Sequence, residues 1–273
     1  MIEPEKFTPD FRITATGNPA LPGIVFLHGF LGSGIDWLPI AELLEARYHC
    51  ILVDLPGHGG TRVPEGAEPD SFFSATVEAL ALKLKKSFPG PLFLAGYSMG
   101  GRIALALLLS HPELFRKCII VSASPGIAGE IDRADRIRSD EGIARKIELN
   151  FEGFIDAWYE QPLFATLKTH PLFSEVQKKR KQSTPRELAE ALRLLGTGRQ
   201  PSLWEKLKDN GVPVRFFVGE KDVKFVEIGR QMVNLCPDSA MENFRGCGHT
   251  LHIENRALFA ERLKEFFNIH HNS

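Results

Sequence analysis

The sequence predicts an α/β fold in which helices flank a mostly parallel central sheet and a helical cap is inserted. Three observations predict it: continuous apolar runs, segments of helical period between them, and a charged stretch without such runs from 126 to 200. Continuous apolar runs are typical of parallel strands buried on both faces. Their alternation with helices indicates a sheet covered on both sides. We therefore assign 1–125 and 201–273 to the core and 126–200 to the cap.

The individual elements follow the apolar pattern along the chain. The run at 24–27 ends in a His-Gly pair, and the run at 92–95 leads directly into a glycine and a helical segment. The same pattern predicts strands at 24–27, 51–53, 92–95, 118–121, 214–218 and 239–244. Helical spacing and length predict helices at 35–46, 72–88, 99–110, 225–235 and 255–267. The stretch 126–200 is rich in charge and helix formers, which predicts a cap made of helices.

The charge balance and the cysteines limit the classes of partner. The formal net charge is −1, so no global field draws the chain to nucleic acid or to an anionic membrane. Residues 1–6 lack the pattern of a signal peptide, and no apolar run approaches the roughly 20 residues that span a bilayer. The four cysteines are scattered without a CxxC pair, which favours reduced thiols in the cytoplasm and leaves a disulfide as an alternative.

A candidate nucleophile lies at the junction of a predicted strand and a predicted helix. Residues 96–100 read Gly-Tyr-Ser-Met-Gly and match the G-x-S-x-G pattern in the strand–turn–helix context that this pattern requires. Small residues on either side permit the sharp turn that exposes the hydroxyl of Ser98. A serine becomes reactive when a histidine accepts its proton, so a histidine and an acid are expected further along the chain.

The acid and the histidine follow in the chain order Ser, acid, His. Asp222 comes just after the strand predicted at 214–218, and His249 precedes the last helix. Both therefore lie on loops at the carboxyl ends of strands, where open α/β sheets place functional groups. Asp222 would fix the tautomer of the imidazole and stabilise its cation. Glu220 and His252 are close in sequence and remain alternatives.

Two backbone N–H groups are candidates for an oxyanion hole. In this architecture one donor is the residue after the nucleophile, here Met99, and the other comes from a loop after an early strand, here Phe30. His28 precedes that loop and is expected to pack and hydrogen-bond beneath it. Asp54 and His58 could be read as metal ligands, but two residues do not make a zinc site. A structural turn is the better interpretation, and we predict neither a metal nor a cofactor.

Four motifs recur together in a known superfamily. They are Leu27-His28-Gly29-Phe30, Asp54-Leu55-Pro56-Gly57-His58-Gly59, Gly96-Tyr97-Ser98-Met99-Gly100-Gly101-Arg102 and Gly248-His249. Together they resemble the α/β-hydrolase superfamily over nearly the whole chain outside the cap. The resemblance implies the α/β-hydrolase fold, with Ser98, Asp222 and His249 as its catalytic triad.

Further motifs in and beside the cap resemble a narrower family. They are Arg136-Ile137-Arg138-Ser139-Asp140, Trp158-Tyr159-Glu160-Gln161-Pro162-Leu163-Phe164 and Gly219-Glu220-Lys221-Asp222-Val223-Lys224-Phe225. They are similar to the 2-succinyl-6-hydroxy-2,4-cyclohexadiene-1-carboxylate synthases of menaquinone biosynthesis. This resemblance implies a lyase that eliminates pyruvate from 2-succinyl-5-enolpyruvyl-6-hydroxy-3-cyclohexene-1-carboxylate. The triad would remove a ring proton, and the oxyanion hole would hold the resulting enolate.

Such a substrate carries several carboxylates, which arginine binds in a bidentate manner. The resemblance implies substrate-binding roles for Tyr97, Arg102, Arg136, Trp158 and Arg180. Close neighbours remain alternatives: Arg138 for Arg136, and Lys179 or Lys181 for Arg180. The expected partner is therefore a small polyanion, with no nucleic acid and no membrane, and the chain is expected to be a monomer or a homo-oligomer.

Two other functional classes can be compared with the lyase. A carboxylesterase or a carbon–carbon bond hydrolase would use the same triad, but its cap would be lined by apolar groups rather than by arginines. A non-catalytic relative acting as a binding protein would be expected to lack a member of the triad, and all three members are present. A nucleotide-binding function is disfavoured, because no G-x-G-x-x-G or Walker pattern follows a strand.

Overall fold

The computed structural model describes residues 9–268, so residues 1–6, on which the expected lack of a signal peptide rests, lie outside it. The described chain forms a seven-stranded sheet of order β1-β3-β2-β4-β5-β6-β7, in which β1 is antiparallel to β3 and the other pairs are parallel. The strands are β1 (Ile13–Thr16), β2 (Gly23–Leu27), β3 (His49–Val53), β4 (Leu92–Tyr97), β5 (Phe115–Val121), β6 (Val214–Gly219) and β7 (Ser239–Phe244). The predicted α/β fold is confirmed.

Helices lie on both faces of this sheet and in the segment between β5 and β6. They are α1 (Leu38–Ala41), α2 (Phe72–Ser87), α3 (Met99–Ser110), α4 (Glu130–Leu149), α5 (Phe151–Tyr159), α6 (Ala165–Lys168), α7 (Phe173–Arg180), α8 (Pro185–Leu195), α9 (Val223–Leu235), α10 (Leu251–Glu254) and α11 (Arg256–Phe267). No helix in the described part of the chain is both long and apolar enough to cross a bilayer.

The continuous apolar strands divide their side chains between two cores. Along β2, Val25 packs in a cluster with α2 and α3, whereas the next residue, Phe26, packs in a cluster with Phe259 of α11. This division follows from the two-residue period of a strand, which sends successive side chains to opposite faces. The sheet is therefore covered on both sides, and its functional groups lie along the carboxyl edge of the strands.

The chain leaves the sheet after β5 and returns to it at β6. Helices α4 to α8 lie between these two strands, inside the 126–200 range that the sequence assigns to the cap. They share an apolar cluster with two residues of the core, Leu31 and Ile253. The cap therefore rests directly on the loops that follow β2 and β7, above the carboxyl edge of the sheet.

The structure differs from the predicted elements at two places near the N-terminus. Strand β1 was not predicted, because Ile13–Thr16 is a short, half-exposed edge strand without a continuous apolar run. The single helix predicted at 35–46 is instead a 3₁₀ turn at Gly34–Trp37 followed by the short helix α1. Pro39 lies in the first turn of α1, where its missing N–H cannot continue the preceding helical bonds. The prediction of one helix there was wrong.

Candidate active site

Ser98 lies at a strained turn between β4 and α3. Its backbone has φ 50° and ψ −109°, a conformation that residues with a Cβ rarely adopt. The turn is held on both sides: the Ser98 N–H donates to the carbonyl of Val121 at 2.9 Å, and the Gly100 N–H donates to the carbonyl of His28 at 2.9 Å. This geometry lifts the Ser98 side chain out of the sheet edge, as the G-x-S-x-G pattern predicts.

The two glycines of the motif permit this close packing. A Cβ added to Gly100 would lie 2.5 Å from the carbonyl oxygen of His28. A Cβ added to Gly96 would lie 2.5 Å from the carbonyl oxygen of Gly100 and 2.6 Å from the Cβ of Ala104. Any larger residue at either position would therefore push α3 away from the strands.

Ser98, His249 and Asp222 form a continuous hydrogen-bonded chain. His249 Nε2 lies 3.2 Å from Ser98 Oγ, and His249 Nδ1 lies 2.7 Å from Asp222 Oδ2. His249 and Asp222 are both buried. A carboxylate at Nδ1 fixes the proton on that nitrogen and leaves Nε2 as an acceptor for the serine proton. The three residues come from the ends of β4, β6 and β7.

The two predicted oxyanion donors lie at the same place. Phe30 and Met99 both line the cavity that contains Ser98. Among the backbone hydrogen bonds of residues 9–268, none uses the N–H of Phe30 or of Met99. Both groups are thus available to an oxygen atom of a ligand. Donors of this kind act by stabilising charge that develops during the reaction.

The loop that carries Phe30 is supported by buried histidines. His28 Nε2 accepts the Leu55 N–H at 2.9 Å, and His58 Nε2 accepts the Leu31 N–H at 3.2 Å. Asp54 accepts two backbone N–H groups, from Gly34 and Gly60, at 2.7 Å each. His28, Asp54 and His58 therefore hold turns in place, which agrees with the structural interpretation of these residues.

Two of the buried histidines are expected to lower the free energy of unfolding at acidic pH. Burial lowers the pKa of His58 and of His252 to about 3, because the imidazolium would lose its hydration. In the unfolded chain both imidazoles have a pKa of about 6.5. Between pH 6.5 and 3 the unfolded chain therefore binds more protons, and the free energy of unfolding falls with decreasing pH. The slope is about 1.4 kcal/mol per pH unit for each histidine.

Urea denaturation at pH 5, 6 and 7 measures this slope. We expect His252→Gln to reduce the slope of the free energy of unfolding against pH by the contribution of one histidine, because glutamine does not titrate in this range. A free energy of unfolding that stays constant between pH 5 and 7 would contradict the prediction.

A cavity of about 470 Å³ extends from Ser98 under the cap. Cations from three different elements line it: Arg102 of α3, Arg136 of α4 and Lys224 of α9. None of the described residues that line this cavity is an aspartate or a glutamate. Its electrostatic character is therefore positive, which suits an anionic ligand.

Arg102 is a buried cation with neutral partners. Its Nη1 donates to Gln200 Oε1 at 3.1 Å, and its Nη2 donates to the carbonyl oxygen of Leu195 at 2.8 Å. Burial and the charge of Arg136 lower the pKa of Arg102 to about 10. The charge of Asp140 offsets this lowering only in part. A buried charge without a hydrogen-bonded anion is electrostatically costly, so this guanidinium is suited to receive a carboxylate from the cavity.

Arg136 is held toward the cavity by an acid on its own helix. Its Nε lies 2.7 Å from Oδ1 of Asp140, one turn further along α4. Asp140 is buried, burial raises its pKa, and its Oδ2 has no hydrogen-bond partner in the described part of the chain. The carboxylate thus orients the Arg136 guanidinium beside the cavity.

Tyr97, Trp158 and Arg180 line a second, smaller cavity of about 70 Å³. Ser98 and His249 line both cavities, so the two cavities meet at these residues. Trp158 also lines the larger cavity, whereas Tyr97 and Arg180 do not. The predicted substrate-binding residues therefore fall into two groups that meet at Ser98.

Arg180 differs from Arg102 because its charge is compensated. Its Nη1 lies 2.7 Å and 2.9 Å from the two carboxylate oxygens of Asp36, and Tyr159 lies close to it. Burial disfavours the charged guanidinium, but Asp36 and Tyr159 together hold the pKa of Arg180 above its usual value. Burial likewise opposes ionisation of Asp36, yet Arg180 lowers the pKa of that carboxyl group.

The alternatives for the acid and the histidine lie apart from Ser98. Glu220 accepts the backbone N–H of Gly246 at 2.8 Å on the protein surface. His252 is buried with its ring 4.2 Å from that of Tyr97. The structure thus brings Asp222, and not Glu220, to His249.

The alternative cations are engaged with acids of the cap; Arg138 and Lys179 are exposed, and Lys181 is half-buried. Arg138 pairs with Asp135 on its own helix. The ammonium groups of Lys179 and Lys181 lie 2.8 Å and 2.7 Å from carboxylate oxygens of other cap residues. None of the three lines either of the cavities at Ser98.

Sequence reasoning missed three residues that the structure brings to the site. Lys224 lies two residues after Asp222, so its spacing was an available signal. Ser122 follows β5 directly at the carboxyl edge of the sheet, which was a second available signal. Asp36 is separated from Arg180 by 144 residues, and nothing near it in sequence indicates the ion pair.

Comparisons with known proteins agree with this geometry. A family model described as "Alpha/beta hydrolase family" matches residues 24–262. The 2-succinyl-6-hydroxy-2,4-cyclohexadiene-1-carboxylate synthase of Salmonella heidelberg (strain SL476) is 31% identical over 256 residues, which cover 93% of this chain and 96% of the relative. The structure of MenH from S. aureus superposes with a TM-score of 0.88 at 32% identity and covers 94% of this chain and 97% of that one.

A plant relative is much longer. The protein PHYLLO, chloroplastic, of Arabidopsis thaliana is 33% identical over 288 residues. The match covers 100% of this chain but 17% of the relative, so this chain spans a small part of that protein's length.

Proposed function

This chain belongs to the alpha/beta hydrolase family and, within it, to the 2-succinyl-6-hydroxy-2,4-cyclohexadiene-1-carboxylate synthases, and we propose that it catalyses their reaction. The reaction eliminates pyruvate from 2-succinyl-5-enolpyruvyl-6-hydroxy-3-cyclohexene-1-carboxylate. It is a carbon–oxygen lyase reaction and consumes no water.

The observation that carries the proposal is the charge of the larger cavity. The substrate has three carboxylates, on the ring, the succinyl group and the enolpyruvyl group. Arg102, Arg136 and Lys224 line the cavity, and no acidic residue among the described ones does. Charge-assisted hydrogen bonds from arginine to carboxylate are strong and directional. A carboxylesterase for neutral esters would gain nothing from a buried guanidinium whose hydrogen-bond partners are all neutral, so the cavity favours the lyase.

The first step of the proposed reaction is removal of a proton. Ser98 takes the ring proton on the carbon next to the succinyl ketone, while His249 takes the hydroxyl proton of Ser98 through Nε2. Asp222 stabilises the imidazolium that forms. The electrons of the broken carbon–hydrogen bond move onto the ketone oxygen, where the N–H groups of Phe30 and Met99 stabilise the enolate.

The second step is departure of the leaving group. The enolate collapses, the ring double bond shifts, and the carbon–oxygen bond to the enolpyruvyl group breaks. His249 gives its proton to the departing enolate, and the resulting enol tautomerises to pyruvate, while Ser98 keeps the ring proton as its hydroxyl hydrogen. Ser98 never forms an acyl-enzyme, because the attacked atom is hydrogen rather than carbonyl carbon.

The proposal extends to partners and location. The ligand is a small polyanion, which the positive cavity supports, and neither nucleic acid nor a membrane is involved. We place the activity in the cytoplasm, since the four cysteines are buried free thiols and such thiols persist under reducing conditions.

Pyruvate release tests the proposal directly. The purified protein is given the enolpyruvyl substrate, and pyruvate is followed with lactate dehydrogenase and NADH. We expect rapid release with no hydrolysis of p-nitrophenyl acetate above the rate of a Ser98→Ala control. Rapid ester hydrolysis without pyruvate would instead identify a carboxylesterase.

A further inference from the structure

Ser122 combines three features that no role in the triad or the predicted substrate pocket explains. It is the first residue after β5, and its φ is 44°, in the left-handed region that favours glycine. Its side chain is fully buried, and its hydroxyl has no hydrogen-bond partner in the described part of the chain. It lines the 470 Å³ cavity together with Ser98.

The strained backbone of Ser122 is held from one side. Its N–H donates to the carbonyl of Phe217 in β6 at 3.0 Å. A residue other than glycine in this conformation costs about 1 kcal/mol or more, and such residues cluster at active sites. Ser98, at the end of the neighbouring strand, has a similar φ of 50°. The two strained serines therefore lie side by side at the carboxyl edge of β4 and β5.

A buried hydroxyl without a partner is also unfavourable. Leaving such a group unsatisfied costs about 1–3 kcal/mol, and native structures contain few of them. Because Ser122 lines the cavity, a ligand that reaches its buried hydroxyl there would satisfy it.

The surroundings of Ser122 indicate which ligand group it meets. The residue after it, Ala123, packs against the first turn of α3, since a Cβ added to Gly101 would lie 2.6 Å from the Cβ of Ala123. Arg102 is the next residue of that turn and lines the same cavity. A carboxylate bound by Arg102 would therefore lie in the cavity that Ser122 also lines.

We propose, given the lyase reaction proposed above, that Ser122 is a substrate-positioning residue whose hydroxyl donates a hydrogen bond to a substrate carboxylate beside Arg102. The hydrogen bond forms in the ground state and persists in the transition state, so it lowers KM with little effect on kcat. It fixes the ring relative to Ser98 through a group remote from the reacting carbon.

Kinetics of Ser122→Ala with the enolpyruvyl substrate test this role. We expect KM to rise about tenfold and kcat to stay within about twofold, since the lost interaction is a charge-assisted hydrogen bond. Ser122→Gly is expected to have the same raised KM as Ser122→Ala. Its melting temperature should be higher than that of the alanine variant, because glycine relieves the strain of the positive φ. If the alanine variant does not fold, the glycine variant decides the result.

Thr76→Val provides the matched control. Thr76 is also fully buried with a hydroxyl that has no partner in residues 9–268, but it lies on α2 and lines neither cavity at Ser98. We expect its KM to equal that of the parent protein. An unchanged KM in both Ser122→Ala and Ser122→Gly would overturn the role of Ser122. The proposed function would still stand in that case, provided that the parent protein releases pyruvate. Failure of the parent protein to release pyruvate would instead overturn the proposed function.

Discussion

Replacing Ser98 by alanine is expected to reduce pyruvate release by about 10³-fold or more, with the fold intact. The loss follows because Ser98 Oγ receives the ring proton in the proposed reaction. His249 Nε2 lies 3.2 Å from Ser98 Oγ, so the imidazole acts through the serine. General acid–base groups typically contribute about 10²–10⁴-fold, and members of a triad act as one unit. Steady-state pyruvate release and circular dichroism measure the two parts of the prediction.

A double variant sharpens this test. If Ser98 and His249 act as one unit, Ser98→Ala/His249→Gln loses little more activity than either single variant, because the second change removes a group that is already without function. Multiplicative losses would show that His249 abstracts the ring proton independently of Ser98. Substantial activity in Ser98→Ala alone would exclude Ser98 as the base.

Arg102→Ala is expected to produce the largest effect on substrate binding. The guanidinium is buried, is held by two neutral acceptors and has no carboxylate among its hydrogen-bond partners. A hydrogen bond to a charged group contributes about 1.5–3 kcal/mol, which corresponds to a loss of roughly 10- to 150-fold in kcat/KM. The loss should appear mainly as a higher KM for the tricarboxylate substrate.

Arg138→Ala is the control for this change. Arg138 is an exposed arginine of the cap that pairs with Asp135 and lines neither cavity. The Arg138→Ala variant tests whether the loss of any positive charge near the site is sufficient to raise KM. We expect its kcat/KM to stay within about twofold of that of the parent protein, because exposed ion pairs contribute little. Equal losses in both variants would assign the effect to long-range charge and remove Arg102 from the carboxylate site.

The sequence was most informative where a function depends on a local pattern. Ser98, Asp222 and His249 each follow a strand or precede a helix that the apolar periodicity predicts, so their convergence at one sheet edge could be inferred from topology. The backbone N–H groups of Phe30 and Met99 could be located in the same way, because their positions are fixed relative to β2 and to the G-x-S-x-G turn.

Other features depend on contacts that no local pattern encodes. Strand β1 forms because an edge of β3 is available, and its own residues are too polar and too few to predict a strand. The Asp36–Arg180 ion pair joins residues 144 positions apart. The positive φ of Ser122 arises from the packing of β5 between β4 and β6, and serine is not a residue that signals such a conformation.

The Asp36–Arg180 ion pair also connects the cap to the core. Arg180 belongs to α7 of the cap and Asp36 to the loop after β2, so the pair joins the cap to the core in addition to the apolar cluster that the two share. The low pKa of Asp36 and the high pKa of Arg180 keep both groups charged at neutral pH, and the contribution of Asp36 to stability is lost when the pH falls through that lowered pKa. Lifting α7 off the core would therefore require the separation of two buried charges, which is electrostatically costly.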